Sequence, residues 1–397
     1  MILACVRVGE LAEQIRGVTY GKEDASKTPV AGYLPVLRAG NITDIGLVFN
    51  DLVYVPAAKV SAKQRIRRGD IVIAASSGSL DVVGKAAPAL KAFEGSFGAF
   101  CKIIRPNDKV DAGYLAQFFK TPNYRRTISS LAAGANINNL KSEHLDDMLV
   151  PLPPLPEQRR IAAILDQADA LRAKRREALA QLDSLMQSIF IEMFGDPSRN
   201  PKSWPETALA KLVREDDTIN YGVVQPGDAL DEGVPLVRVG DLVDGEFSSA
   251  KLKRIDPIIE SAYRRSRLRG DEILVSCVGS IGVTVLATPD MKGFNIARAV
   301  ARIPLAEGMN RVFVASCLKT DAVQNYFTGE LRTVAQPTLN IKQIAETKVF
   351  SPPLALQETF ATRIQAVESL KTIQRAALAE LDALFASLQH RAFSGSL

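Results

Sequence analysis

The sequence is poor in the residues that build metal sites and disulfide frameworks. Its 397 residues include four cysteines, which lie far apart with no CxxC pair, and two histidines, His144 and His390. This spacing predicts neither a zinc site nor paired disulfides, and unpaired thiols are typical of a reducing cytoplasm. We therefore expect a cytoplasmic protein without a metal site.

Long apolar runs are also missing. No stretch approaches the roughly 20 apolar residues that a membrane span requires, and the acidic Glu10 follows so short an apolar start that no signal peptide is expected. Hydrophobic residues make up 47% and charged residues 23% of the chain, which suits folded domains with apolar cores. The length predicts two or three such domains. The net charge of +5 permits a polyanionic partner without requiring one.

The signatures of several enzyme classes are absent. There is no glycine-rich loop of the GxGxxG or GxxxxGK[ST] type to hold a nucleotide phosphate. The Pro-Pro pairs at 153–154 and 352–353 lack the aromatic and Asn or Asp neighbours that a base methyltransferase would need. The segment 289–292 superficially resembles a metal-dependent nuclease motif, but a turn between strands explains it more simply. We predict a chain that has no cofactor and no catalytic residues of its own.

The most informative pattern is an internal repeat with a period of about 200 residues, half of the chain. The matches keep the same order in both halves, and they shift by only one or two residues, as small loop insertions would produce. The main matching pairs are Tyr20-Gly21 with Tyr221-Gly222, 34–42 with 234–242, Arg68-Gly69-Asp70 with Arg269-Gly270-Asp271, Gly78-Ser79 with Gly279-Ser280, and Pro153-Pro154-Leu155 with Pro352-Pro353-Leu354. The chain is therefore a duplication.

In each half the sequence pattern changes from β-rich to helical at the same relative position. A region of short β-rich runs with a few short helical stretches ends in a proline-rich hinge, and a helical segment free of glycine and proline follows. We therefore predict an α+β protein in which two similar globular modules alternate with two long helices. The predicted domains are module 1 (1–156), spacer helix 1 (157–195), module 2 (196–353) and spacer helix 2 (354–397).

Apolar residues recur on both long helices at intervals of three and four, which is the pattern of a coiled-coil seam. The seam positions are predicted to be Ile161, Leu165, Ala168, Leu182, Leu185, Ile189, Phe360, Ile364, Val367, Leu381, Leu384 and Leu388. We expect the two helices to pair antiparallel, which would relate the modules by a pseudo-two-fold axis. The alternative is that each helix only covers the core of its own module.

The module loops carry groups that suit phosphates and base edges. Basic runs occur at the same place in both halves, 63–68 and 264–269, and their recurrence favours phosphate contacts over a merely solvated face. Arg38 and Arg238 end apolar runs, and an arginine can fork onto guanine as an asparagine can onto adenine. Each arginine could equally pair with a local carboxylate and stabilise the fold.

The glycine-serine turns and the polar stretches that precede each hinge complete the set of possible DNA contacts. The candidates are Arg38, Asn41, Arg67, Arg68, Ser79, Asn136, Asn138, Tyr221, Gln225, Arg238, Arg265, Arg267, Ser280, Thr338 and Asn340.

Together these features make the chain similar to the specificity subunits of type I restriction–modification systems. The resemblance covers the whole chain. The residues that carry it are Tyr221 to Gly227, Val234 to Arg238, Arg269 to Leu274, the segment Pro151-Leu152-Pro153-Pro154-Leu155-Pro156-Glu157-Gln158 before the first helix, and Met193-Phe194-Gly195-Asp196-Pro197 at its end. The second hinge departs from the pattern, with Leu356-Gln357 where the first has Glu157-Gln158.

The resemblance implies a division of labour. Each module would be a target recognition domain that reads one half of a bipartite double-stranded DNA sequence, and the helices would form an antiparallel spacer. Two methyltransferase subunits would bind the chain and bring S-adenosylmethionine, while restriction subunits would bring ATP-driven cleavage with Mg²⁺. Two other classes of protein stay open at this point: a coiled-coil adaptor that binds no DNA, and an enzyme with an unrecognised site.

Overall fold

The computed structural model describes residues 4–91, 93–132, 138–243, 245–329 and 338–397. The chain forms two compact units: unit 1 is Met1–Ala178 with Gln374–Leu397, and unit 2 is Leu179–Ile373. Each unit therefore contains one module together with parts of both long helices. The predicted domains separate the modules from the helices, and that division stays a prediction.

Short strands and helices make up the two modules, as the β-rich texture with interleaved helical stretches predicts. The strands of unit 1 are β1 (Cys5–Arg7), β2 (Ala12–Arg16), β3 (Tyr33–Leu37), β4 (Ile42–Thr43), β5 (Gly46–Leu47), β6 (Val53–Pro56), β7 (Ile71–Ala74), β8 (Ser76–Ser77), β9 (Ala86–Pro88), β10 (Ser96–Phe97), β11 (Cys101–Pro106), β12 (Asn138–Asn139) and β13 (Leu149–Pro151). Its short helices are α1 (Val8–Leu11), α2 (Ala112–Phe118), α3 (Pro122–Ala132) and α4 (Ser142–Asp146). The long helices are α5 (Leu155–Phe194) and α10 (Leu354–Ser394).

The strands of unit 2 are β14 (Glu206–Ala208), β15 (Asn220–Tyr221), β16 (Val234–Val237), β17 (Leu242–Val243), β18 (Glu246–Phe247), β19 (Lys253–Ile255), β20 (Ile273–Ser276), β21 (Thr284–Leu286), β22 (Asn295–Ile296), β23 (Val300–Ile303) and β24 (Lys348–Phe350). Its short helices are α6 (Pro257–Ser261), α7 (Arg311–Leu318), α8 (Asp321–Gly329) and α9 (Ile341–Glu346).

The sheets of the two units have the same topology. In unit 1 the strand orders are β2-β11-β7-β9 and β10-β3-β6, and in unit 2 they are β15-β23-β20-β21 and β22-β16-β19. Each three-stranded sheet contains one parallel pair beside an antiparallel pair: β10 runs parallel to β3, and β22 runs parallel to β16. The predicted duplication is confirmed at the level of the fold.

The central strands are buried on both faces. In β7, Ile71 and Ile73 contribute to one apolar cluster, while Val72 and Ala74 contribute to another. Because successive side chains of a strand point to opposite faces, four consecutive apolar residues serve two cores at once. Strand β20 of unit 2 has the same alternation, with Ile273 in one cluster and Leu274 in the other.

A buried glutamine joins each proline-rich hinge to its module. The Gln158 Oε1 accepts a hydrogen bond from the Asp111 backbone N–H (2.8 Å), and its Nε2 donates to the Pro153 carbonyl (2.8 Å). Gln357 makes the same two bonds with the Asn310 N–H (2.9 Å) and the Pro352 carbonyl (2.7 Å). Both hinges contain this glutamine. The second hinge therefore keeps both hydrogen bonds although Leu356 stands where the first hinge has Glu157.

The long helices pack against each other in antiparallel fashion within each unit. In unit 1, Arg172 of α5 pairs with Asp382 of α10 at 2.5 Å. In unit 2, Asp183 of α5 pairs with Lys371 of α10 at 2.7 Å, and the ring of Phe194 lies 5.3 Å from that of Phe360. The partner's residue number falls as the number on α5 rises, which is the signature of antiparallel neighbours. The predicted helix pairing is confirmed.

The alternative role of the helices holds as well, since the same segments cover the module cores. Ile161, Leu165 and Ala168 belong to the main core of unit 1, and Phe360 and Ile364 belong to that of unit 2. Each helix therefore pairs with the other and seals a module at the same time.

Two predicted seam residues do not lie in the seam. Leu185 and Leu384 are 44% and 50% exposed, whereas Phe385 is buried and Met186 packs against the core of unit 2. The next seam residue lies four positions after Leu182 and after Leu381, although in both helices the residue three positions on is apolar as well. A spacing rule cannot choose between those steps. Of the other predicted positions, Val367 is buried, and Leu182, Ile189, Leu381 and Leu388 are partly buried.

Candidate nucleic-acid interface

Two of the sequence-predicted candidates, Arg38 and Asn41, line an open cleft of about 920 Å³ in unit 1, whereas Arg67, Arg68 and Ser79 lie outside its lining. Five chain segments contribute to the cleft, because the segments that follow β2, β3, β7 and β10 and the one that precedes β6 all lie there. The cleft is lined by Val18, Thr19, Tyr20, Arg38, Ala39, Gly40, Asn41, Asn50, Asp51, Ser76, Ser77, Gly78, Gly98, Ala99, Phe100 and Cys101. The lining combines charged, amide, hydroxyl and aromatic groups, which is the composition that a base-reading surface needs.

Arg38 lies at the rim of this cleft, held by a local carboxylate. Its Nη2 donates to the Asp51 Oδ2 (2.5 Å) and to the Asp51 carbonyl (2.8 Å), and 44% of its side chain stays exposed. Asn41 is buried: its Oδ1 accepts from the Arg38 N–H, and its Nδ2 donates to the Asn50 carbonyl. The amide of Asn41 therefore shapes the loop, and Arg38 is the member of this pair that faces solvent.

Unit 2 repeats the same loop with a carboxylate in place of the amide. Arg238 donates to both oxygens of the buried Asp241, at 3.2 and 3.1 Å, and to the Lys251 carbonyl at 2.7 Å. Of the two interpretations that the sequence leaves open for these arginines, local pairing is therefore present in both units. A DNA contact by either arginine would have to be made by the exposed part of a guanidinium that already has a partner.

The basic runs contain two kinds of arginine. Arg67, Arg68 and Arg265 are exposed. Arg267 is exposed as well, but it forms a two-pronged pair with the buried Glu260, and the guanidinium holds the pKa of that carboxyl below its ordinary value. Arg267 therefore stabilises the module, whereas Arg67, Arg68 and Arg265 have the position that a phosphate contact requires.

Tyr221 is tied to the polar stretch before the second hinge. Its hydroxyl donates to the Leu339 carbonyl at 2.7 Å, and burial raises the pKa of the phenol to about 12, so the group stays neutral. Gln225, four residues on, is exposed. The tyrosine positions the loop that carries the glutamine.

The glycine-serine turns lie beside the polar stretches that precede each hinge. Asn138 pairs with Ser77 in unit 1, and Thr338 bridges to Val278 in unit 2. Ser79, Ser280 and Asn340, also candidates, are exposed, while Asn136 lies outside the described residues. Two groups of candidates that are some 60 residues apart in the chain thus come together in each module.

Comparisons with known proteins identify the relatives of this chain. Residues 4–181 match the family described as the type I restriction modification DNA specificity domain. The chain is 32% identical over 418 residues to the type I restriction enzyme StySPI specificity subunit of Salmonella potsdam, covering 99% of this chain and 89% of the relative. It is 30% identical over 411 residues to the EcoKI specificity subunit of Escherichia coli (strain K12), covering 98% and 88%.

The chain belongs to the family of type I restriction enzyme specificity subunits.

Solved structures show the same fold. The crystal structure of the type I restriction-modification system S subunit from M. genitalium matches with a TM-score of 0.55 at 16% identity, covering 98% of this chain and 96% of that one. A structure from a study of complex assembly and conformational transition of the type I R-M system matches with a TM-score of 0.50 at 19% identity, covering 100% and 98%. At these identities the likeness concerns the fold alone.

Sequence reasoning missed two exposed side chains of this specificity subunit. Phe100 lines the cleft of unit 1 with 66% of its surface exposed, and Arg298 is exposed on the matching turn of unit 2. Neither residue lies in a repeated motif. A search for segments that the two halves share therefore does not select them. They could have been predicted by looking for positions where the two halves differ within a turn that otherwise matches.

Within the residues that the structure describes, no group of three or more histidine, cysteine or carboxylate side chains is placed to hold a metal ion. Among the same residues, no helix has the length and apolar character to cross a membrane.

Proposed function

We propose that this specificity subunit reads a bipartite double-stranded DNA sequence and brings the methyltransferase and restriction subunits of a type I complex to it. Module 1 (1–156) and module 2 (196–353) are the two readers, and the spacer helices (157–195 and 354–397) hold them and bind two methyltransferase subunits. The chain itself is non-catalytic. S-adenosylmethionine, ATP and Mg²⁺ belong to the partner subunits.

The observation that carries this proposal is the contrast between scaffold and loops. The two modules share sheet topology, a parallel strand pair and a hinge glutamine. Their exposed loop side chains nevertheless differ, since the first module carries Phe100 and the second carries Arg298 on matching turns. A duplicated scaffold with divergent loops is suited to reading two different half-sites, because base identity is read by loop side chains and the scaffold only positions them.

The test is a map of methylated adenines in cells that produce the full chain with its methyltransferase partner. We expect methylation at one two-part sequence. Replacing residues 196–353 by the matching segment of a relative should change one half of that sequence and leave the other half unchanged.

Two outcomes would contradict the proposal. A change in both halves would mean that the modules do not read independently. If the assembled complex selected no sequence from a pool of random duplexes, the chain would be an adaptor.

A further inference from the structure

The turn that follows the parallel strand has the same backbone in both units. In unit 1 the Gly98 N–H donates to the Leu37 carbonyl, and in unit 2 the Ala297 N–H donates to the Val237 carbonyl, both at 2.9 Å. The next turn bond also recurs, from Cys101 to Gly98 at 2.8 Å and from Val300 to Ala297 at 2.9 Å. The segments 98–100 and 297–299, called here the reading turns, are therefore equivalent positions of one scaffold.

Phe100 is fixed by its backbone and exposed by its side chain. Its carbonyl accepts hydrogen bonds from the Ala75 N–H (2.8 Å) and the Ser76 N–H (3.1 Å), which fixes the residue at the edge of the cleft. The residue is 66% exposed and lines the same cleft as Ser77 and Gly78. A large apolar ring held in water is unfavourable for the free protein and becomes favourable when a partner covers it.

The fold does not need this ring. The residue that takes the place of Phe100 in unit 2 is Ala299, whose carbonyl accepts from the Cys277 N–H at 2.8 Å in the same way. Since the scaffold accepts alanine there, the phenylalanine of unit 1 calls for an explanation outside folding.

The reading turn of unit 2 differs at the preceding position instead. Arg298 stands where unit 1 has Ala99, and it is exposed. Its backbone N–H donates to the Val223 carbonyl at 2.9 Å, but among the described residues its guanidinium donates no hydrogen bond, whereas Arg238 and Arg267 are both engaged with carboxylates. An exposed guanidinium can fork onto the O6 and N7 acceptors of guanine.

We propose that the reading turns determine specificity, with Phe100 contacting a base of one half-site through its apolar face and Arg298 contacting a guanine of the other. The inference rests on the proposed function and names the residues that deliver it. Phenyl rings contact thymine methyl groups in the major groove, and guanidinium groups read guanine, so the two equivalent turns supply two different kinds of readout.

The test compares Phe100→Ala and Arg298→Ala in the full chain assembled with its methyltransferase partner, using sequences selected from random duplexes. Leu90→Ala is the matched control, because Leu90 is 75% exposed in the same module but does not line the cleft. We expect Phe100→Ala to lower selectivity by about tenfold at one or two positions of one half-site, because an apolar contact with a thymine methyl group distinguishes thymine from the other bases. Arg298→Ala should relax a guanine position in the other half-site by a similar factor.

The outcomes separate this inference from the proposed function. If the wild-type complex selects a two-part sequence and Phe100→Ala behaves as Leu90→Ala does, the inference is overturned and the proposed function stands. Uniform weakening by Arg298→Ala on all sequences, with a shallower salt dependence, would assign it to phosphate and would also overturn the inference. If the wild-type complex selects nothing, both proposals fail.

Discussion

Unit 1 and unit 2 have one topology but stabilise it with different buried charges. In unit 1, Arg105 makes a two-pronged pair with the buried Asp70, both bonds at 2.8 Å. In unit 2, Arg302 is 3% exposed and lies between two carboxylates, Asp217 and the fully buried Glu272. Asp70 and Glu272 each accept the backbone N–H of the residue three positions earlier, so in the structure Asp70 corresponds to Glu272 and not to the sequence-matched Asp271. The acceptor position is shared, and its arginine partner is not. The duplication has kept strand order, whereas each copy has its own buried ion pair.

The helix pairs show the same contrast. In unit 1 the guanidinium of Arg172 pairs with Asp382 and lies 4.3 Å from the centre of the Phe385 ring. In unit 2 the ammonium of Lys371 pairs with Asp183, and the sulfur of Met186 is 3.9 Å away. An arginine over an aromatic ring and a lysine beside a thioether fill equivalent places with different chemistry. What the two copies share is the position of an interhelical ion pair.

The largest effect should come from breaking the buried ion pairs. Arg302→Met leaves the buried Glu272 without a cation and leaves Asp217 with Arg269 alone, at 3.6 Å. We expect unit 2 to lose about 3–5 kcal/mol of stability. Arg105→Met removes a cation that is 13% exposed from one carboxylate, so unit 1 should lose less, about 1–3 kcal/mol. Hydrogen exchange of β23 and β11 measures each unit separately. Equal losses would show that the second carboxylate of unit 2 contributes nothing.

An effect of intermediate size is expected at the hinges, where the two units agree. Gln158→Ala and Gln357→Ala each leave a backbone N–H and a carbonyl without a partner, at a cost of about 2 kcal/mol. The control is Glu157→Ala, which removes a partly exposed side chain whose ion pair with Arg160 lies on the helix surface, and it should stay within about 0.5 kcal/mol. Amide exchange at the start of α2 and α7 gives the readout. A loss confined to one of the two glutamine variants would break the equivalence of the hinges.

Sequence reasoning recovers what the duplication repeats. The order of matched segments, the two modules and both long helices follow from local patterns, because a fixed offset and an uninterrupted helical stretch are visible without coordinates. Helix α5 was expected to start at residue 157, and it begins at Leu155, since proline is accepted in a first helical turn.

The exposure and pairing of the site's side chains are less predictable, because the tertiary fold decides which groups lie close enough to pair. Asp51 captures Arg38 from thirteen residues away, and Glu260 is buried against Arg267, so neither exposure nor pairing follows from composition. Residues that differ between the copies, such as Phe100, are invisible to a search for what the copies share. Their roles depend on which loops the sheets bring to one edge.

The smallest effect concerns a lysine that only unit 1 carries in its central sheet. Lys102 pairs with Ile73 in the ladder, and its Nζ donates to the Leu140 carbonyl at 2.9 Å, whereas Ala301 takes this place in unit 2. Burial lowers the pKa of Lys102 below its ordinary value. Between the lowered pKa and the ordinary one, the unfolded chain binds more protons than the folded chain, so the stability of unit 1 should rise with pH in that window.

Lys102→Met removes this titration and should flatten the alkaline pH dependence of exchange in β11, while the exchange of β23 keeps the same pH dependence in both proteins. The methionine also removes the bond to Leu140, so the variant differs from the wild type by a constant offset as well as by slope. Only the slope carries the argument, because an offset independent of pH reports the lost hydrogen bond. A wild-type slope that persists in the variant would place the titrating group elsewhere in unit 1.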